Sequence, residues 1–175
     1  MKLPMCLLLV ATSALADTND WAALKKQIRA KYPTVREITT DELAAWLSDP
    51  QRPAPVVLDV RSPEEFAVSH LRGARDVDPQ AAADQAVGHI DKATPIVTYC
   101  SVGYRSSALA ERLQKAGFTN VRQLDGSIFQ WANEGRPLYR GDQQVHAVHP
   151  YNKTWGKFLN KNLHATVNAR NASKP

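Results

Sequence analysis

The chain has 175 residues, a net charge of +5 and 43% hydrophobic residues, which is enough apolar material for one domain with its own core. All 17 acidic residues lie between Asp17 and Asp142; the 22 basic residues, less Lys2 and the five after Asp142 (Lys153, Lys157, Lys161, Arg170 and Lys174), leave 16 in the same span. A near-neutral body with a basic tail lacks the basic face that nucleic-acid binding requires, and no nucleic-acid partner is expected.

Residues 1–16 read as a secretory signal peptide. Lys2 gives a positive start, Met5 to Ala11 is an apolar run too short to span a bilayer, and Ala14-Leu15-Ala16 offers a small-x-small cleavage site before Asp17. The expected location is therefore exported, periplasmic in a bacterium and secreted otherwise; an uncleaved signal would instead anchor the chain. Cleavage removes Cys6 and leaves Cys100 as the sole cysteine. An exported chain with one unpaired thiol has no intramolecular disulfide and no resolving cysteine, so sulfur or electrons must be exchanged with outside partners.

Residues 17–33 form an N-terminal helical extension. Asp20 is the expected N-cap, and Trp21, Leu24 and Ile28 recur at helical spacing. A body over residues 34–140 follows. Val35 to Ile38 reads as a short edge strand, and Thr39 to Glu42 has capping-box spacing before a helix with Leu43, Trp46 and Leu47 inward. Pro50, Pro53 and Pro55 end that helix. The apolar run Val56 to Val60 is an expected buried strand, and Ser62-Pro63-Glu64-Glu65 supplies a cap, a first-turn proline and an acid for the next helix. Asp59 and Arg61 thus lie at the carboxyl end of a strand, where open α/β sheets place ligands. They form either a local salt bridge or, for Arg61, a donor to an anionic substrate. Ala74 to Val77 is a further strand, and Pro79 to Asp91 a short alanine-rich helix with Val87 and Ile90 inward.

The stretch Pro95 to Gly117, PIVTYCSVGYRSSALAERLQKAG, carries the chemistry. A strand over Ile96 to Tyr99 turns through Cys100-Ser101-Val102-Gly103-Tyr104-Arg105 into a helix with Leu109, Leu113 and Ala116 on one face, stopped by Gly117. The cysteine sits where backbone N–H groups are unpaired and the helix dipole is positive, a place that stabilises a thiolate. Gly103 lets the loop curl into a nest of inward N–H groups, Arg105 adds a permanent charge, and Ser106 and Ser107 can cap the helix or bond the sulfur. Asn120 to Leu124 is the next strand, followed by the turn Asp125-Gly126-Ser127 and a helix with Ile128, Phe129 and a core Trp131.

Residues 141–175 form a basic C-terminal extension. Thr154 to Leu163 is an expected docked helix with Trp155, Phe158, Leu159 and Leu163 on one side, and Lys153, Lys157 and Lys161 form a solvated stripe or an electrostatic guide. His146 and His149 lack a third ligand nearby, so no metal is expected. Asn168 to Pro175 is small and polar, and fraying is expected there.

YCSVGYRSS at Tyr99–Ser107 resembles the active-site loop of the rhodanese (sulfurtransferase) family. LDVRSPEEF at Leu58–Phe66, HLRGARDV at His70–Val77 and LDGSIFQWANEGRP at Leu124–Pro137 fit the same family in the same order, so the resemblance covers about Thr34 to Pro137. It implies an α/β domain of three layers, with a mostly parallel five-stranded sheet between helices. It also implies sulfur transfer through a persulfide on Cys100, cradled by Ser101, Val102, Gly103, Tyr104, Arg105 and Ser106. Arg61 would contact the bound anion, Asp59 would hold the loop, and His70 and Gly73 would be structural. The implied partners are a small sulfur-containing anion such as thiosulfate, or a persulfide, as donor, and an external thiol, cyanide or protein sulfur acceptor. No cofactor is implied. Two other classes use the same residues. One is a non-enzymatic redox-sensing or docking module. The other is a phosphatase or arsenate reductase of this fold, which would use a loop one residue longer than the Cys-x4-Arg found here.

Overall fold

The computed structural model describes residues 18–166. Five parallel strands form the central sheet: β1 (Arg36–Ile38), β2 (Val56–Asp59), β3 (Arg75–Asp76), β4 (Ile96–Tyr99) and β5 (Val121–Leu124), in the order β1-β5-β4-β2-β3. The strands are short because each is closed at its carboxyl end by a turn that feeds a helix. Side chains alternate faces along each strand. Val57, Val97 and Tyr99 pack with α1 (Thr18–Lys31), α2 (Thr40–Ser48) and α6 (Ser127–Asn133) through Leu24, Ile28, Leu43, Trp46, Ile128 and Phe129. Leu58, Ile96 and Val121 face the other way, onto α4 (Ala83–Val87) and α5 (Tyr104–Lys115), through Val87, Leu109 and Leu113. Helices thus cover both faces, as a fully buried parallel sheet requires. The remaining helix of this body is α3 (Pro63–Val68).

The capping residues at the two helix starts behave as their chemistry dictates. Thr39 accepts from the Glu42 N–H and Glu42 returns the bond to the Thr39 N–H; Ser62 and Glu65 do the same ahead of α3. At α1, by contrast, the helix already starts at Thr18, so Asp20 lies inside the first turn rather than at its cap. Ala116 is the C-cap of α5 and is exposed, one position beyond the buried face that Leu109 and Leu113 share.

Both extensions are continuous with the core. Leu24 and Ile28 of α1 and Val148, Phe158 and Leu159 near the C-terminus are buried in the same cluster, and the Trp21 ring meets Phe158 edge-on at 5.1 Å. The expected boundary at 140 falls inside a hairpin, β6 (Leu138–Arg140) paired antiparallel to β7 (Gln143–Val145). The hairpin docks on the body through His70: its N–H and carbonyl pair with Tyr139, each at 2.8 Å. The Gly141 N–H donates to His70 Nε2 at 3.2 Å, leaving Nδ1 to donate to the Leu71 carbonyl at 2.9 Å. His70 is therefore a structural fastener. The helix expected over Thr154 to Leu163 is broken into α7 (Lys153–Gly156) and a 3-10 turn (Lys161–Leu163). Gly156 is pressed against Pro150, where an added Cβ would meet that ring at 3.2 Å, and the chain bends there so that both Phe158 and Leu159 reach the core. The lysines at 153, 157 and 161 are exposed. Among the described residues, no helix is long and apolar enough to cross a membrane.

If the C-terminal extension is part of the cooperative unit, Phe158→Ala should cost about 3 kcal/mol in urea unfolding. A loss within about 0.5 kcal/mol, typical of a surface change, would separate it from the core.

Candidate active site

β4 and β2 are neighbours in register, with Asp59 opposite Tyr99. Their carboxyl ends therefore bring two loops side by side: Val60-Arg61-Ser62 after β2 and Cys100-Ser101-Val102-Gly103 after β4. Cys100 is a free thiol, 1% exposed. The Gly103 N–H donates to its Sγ at 3.1 Å, and the Ser106 hydroxyl lies 3.6 Å from the same sulfur. The helix already starts at Tyr104 with Gly103 as N-cap and no side-chain cap. The Ser106 hydroxyl is shared between the sulfur and the Gly103 carbonyl, to which it donates at 3.1 Å. Gly103 has φ 128°, and a Cβ there would meet Ile28 Cδ1 at 3.0 Å and Gln123 Nε2 at 3.2 Å. Only glycine allows both that curl and that close approach.

The loop is fixed from several sides. The Cys100 and Ser101 carbonyls accept from the Ile128 and Phe129 N–H groups, each at 3.1 Å, at the start of α6. The Cys100 N–H donates to Ser127 Oγ at 3.2 Å. Ser127 is buried and holds φ 52°, a left-handed conformation that costs a non-glycine residue free energy. The buried Gln123 amide joins Ser127 Oγ at 3.3 Å and Ser106 Oγ at 3.4 Å, and also reaches the Leu124 carbonyl.

Arg105 makes a two-pronged pair with Glu65: Nη1 to Oε2 at 2.8 Å and Nη2 to Oε1 at 2.9 Å. Nη2 also reaches Ser101 Oγ at 3.0 Å, whose hydroxyl lies 2.9 Å from Glu65 Oε1. Burial opposes ionisation of Glu65, but the bonds and charge of Arg105 outweigh it and hold the carboxyl below its usual range. The same balance applies to Cys100. Burial pushes the thiol up, while the Arg105 charge and bonds from Ser106 and Gly103 pull it down, and the net direction is down.

Arg61, read from its strand-end position as either a local salt bridge or, with the family resemblance, a donor to an anionic substrate, is fully buried. Its Nε donates to Asp59 Oδ1 at 2.9 Å, and its Nη2 to Asp59 Oδ2 and the Ser69 carbonyl, each at 2.6 Å. The local salt bridge is therefore what the structure shows, with Asp59 as the partner that holds the turn; only Nη1 is left without a hydrogen-bond partner among the described residues. Among the described residues, no three His, Cys, Asp or Glu side chains gather as a metal set.

Several site residues lie outside the motif reading. Glu65 was legible only as a helix-capping acid, and its second role depends on β2 and β4 being neighbours. Gln123 carried a signal: it shares the pleat phase of buried Val121, and a polar side chain there needs partners. Tyr151 is placed by the C-terminal extension over the Arg105 guanidinium, 4.8 Å from ring centroid to Cζ, and nothing local in the sequence announces that.

Comparison with known proteins supplies the class. The profile of the family described as Rhodanese-like domain matches residues 39–134, and the chain belongs to that family. A thiosulfate sulfurtransferase GlpE from Pseudomonas aeruginosa is 35% identical over 86 residues, 49% of this chain and 74% of that protein. A probable adenylyltransferase/sulfurtransferase MoeZ from Mycobacterium tuberculosis is 32% identical over 125 residues, 70% of this chain, but the match spans only 31% of that relative's length. Among solved structures, a rhodanese-related protein from Thermoplasma volcanium aligns with a TM-score of 0.52 at 25% identity, covering 60% of this chain and 98% of that one. The rhodanese-like domain of an Anabaena sp. protein aligns with a TM-score of 0.54 at 25% identity, covering 61% and 80%. Three-layer architecture and parallel five-stranded sheet are those of the family.

Because the folded Glu65 carboxyl ionises at lower pH than the unfolded one, it adds stability above about pH 4.3, which is lost as pH falls through the lower folded value. Glu65→Gln should flatten that acid limb and cost about 2 kcal/mol at neutral pH in urea unfolding. An acid limb unchanged from wild type would show that the Arg105 pair does not act in this way.

Proposed function

We propose that the protein is a sulfurtransferase that carries sulfane sulfur as a persulfide on Cys100. The observation that supports this most directly is the Gly103 N–H aimed at a buried sulfur, 3.1 Å away, in a loop of four residues between Cys100 and Arg105. A cradle of that size suits one added sulfur atom better than a phosphate with three equatorial oxygens.

In the first half-reaction the Cys100 thiolate attacks the outer sulfur of the donor. A new S–S bond forms on Cys100, and the donor's S–S bond breaks with its electron pair. Thiosulfate leaves as sulfite, and a hydropersulfide RSSH leaves as the thiol RSH, its proton moving to the departing sulfur. In the second half-reaction cyanide or an acceptor thiolate attacks the terminal sulfur, and the bond to Cys100 breaks to return the thiolate. With thiosulfate and cyanide no proton moves, so an ionised cysteine needs no general base. The inward N–H groups stabilise the negative terminal sulfur in a preformed site.

Charge matching bears on the donor. Arg61 faces Asp59 and Arg105 faces Glu65, so each guanidinium beside the loop is already opposed by a carboxylate. Ser101 and Val102 add no charge. A persulfide of low charge meets less repulsion at a thiolate in such a site than the thiosulfate dianion does. The amino-terminal signal-like segment, outside the described residues, supports an exported setting in which the acceptor is a small thiol or a protein thiol.

Incubating the protein with thiosulfate or cysteine persulfide should add one sulfur atom to the Cys100 peptide by mass spectrometry, and cyanide should then release it as thiocyanate. Cys100→Ser should abolish both. Absence of the added sulfur with either donor would overturn the reading, as would phosphate release from an aryl phosphate that depends on Cys100.

A further inference from the structure

From Cys100 to Ser106 the loop is almost sealed. Cys100, Ser101, Val102 and Ser106 are each 5% exposed or less, and only Tyr104 and Arg105 reach solvent appreciably. Most of what covers the loop belongs to packed elements. Ile28 of α1 closes on Gly103, α6 donates to the Cys100 and Ser101 carbonyls, and Trp155 of α7 meets the Tyr104 ring at 5.8 Å. Glu65 closes the side of Ser101.

Tyr151 differs from all of these. It lies between β7 and α7 in irregular chain, its ring stands over Arg105 at 4.8 Å, and it is 45% exposed, the only exposed large hydrophobic among the described residues. Its backbone holds φ 63°, a left-handed conformation that disfavours a side chain. It is kept there by its N–H bond to His149 Nδ1 at 3.0 Å and by Asn152, whose Oδ1 accepts from Thr154 and Trp155. A strained, half-exposed aromatic ring opens at less cost than Ile28, α6 or Trp155, which would have to leave the packed core.

We infer that Tyr151 is a specificity-determining residue at the entrance to Cys100, admitting narrow sulfur donors and excluding bulky ones. This rests on the sulfurtransferase reading and narrows its donor to small persulfides or polysulfides of low charge. Reagents reach the sulfur past the Tyr151 ring and the Arg105–Glu65 pair, so the width of that opening sets the size of what reacts.

The test compares two neutral thiol reagents of different bulk, iodoacetamide and N-phenylmaleimide, on the full chain, following the Cys100 peptide by mass spectrometry. Taking the ratio of their rates cancels any change in thiol ionisation. In Tyr151→Gly, which removes the ring and suits the backbone angle, the bulky-to-small ratio should rise about tenfold, while Tyr151→Phe should match wild type because an aromatic ring over a guanidinium is retained. The ratio of kcat/KM for glutathione persulfide over cysteine persulfide should rise in parallel. An unchanged reagent ratio in Tyr151→Gly, or a raised ratio in Tyr151→Phe, overturns the inference. The labelling arm needs no turnover, so loss of sulfur transfer with a raised reagent ratio would count against the functional reading alone.

Discussion

A buried thiol whose ionised form is favoured against its burial is the feature on which this molecule turns. Removing Cys100 from water penalises its ionised form, and the fold answers with short-range donors rather than solvent. Gly103 contributes its N–H, Ser106 its hydroxyl, and Arg105 a charge held at a fixed place by Glu65. Each donor depends on another contact. Gly103 must have no side chain because Ile28 and Gln123 press on it. Ser106 is held by Thr98, whose hydroxyl donates to its carbonyl at 3.0 Å. Arg105 is aimed by a carboxylate that also caps α3.

That network explains why the two terminal segments are integral to the body. The N-terminal helix brings Ile28 onto the loop, and Lys25 ties it to Asp125 at 2.7 Å beside the turn that starts α6. The C-terminal segment, fastened through the hairpin on His70, carries Tyr151 to Arg105 and Trp155 to Tyr104. Family resemblance ends near the limits of the sheet, but the cover of the cysteine is completed by residues outside it.

Much of this was legible in the sequence because the signals were local. The capping boxes at Thr39 and Ser62 and the apolar runs at Val56 and Ile96 act over a few residues, and the structure keeps them. Cys100 at a strand-to-helix turn with Gly103 and Arg105 was legible for the same reason. What was not legible depends on distant neighbours. The pattern around Arg61 allowed either a local salt bridge or an anion donor, and the contact that adds to the Asp59 bridge, the Ser69 carbonyl eight residues on, has no local signal. The apolar residues from Trp155 to Leu163 recur at helical spacing, yet Gly156 packs on Pro150 and the helix breaks. The β6–β7 hairpin carried a readable cue in Gly141-Asp142, with φ 57° at Gly141, since glycine and aspartate suit a tight hairpin turn.

The central claim is that the loop keeps the Cys100 thiol ionised despite its burial. The most direct measurement is the thiolate ultraviolet absorbance of the full chain as a function of pH, with Cys100→Ser subtracted to isolate this one group. The expected midpoint lies below that of free cysteine, about 8.5, and moves upward in Arg105→Ala. A midpoint at or above the free value in the wild type would contradict it.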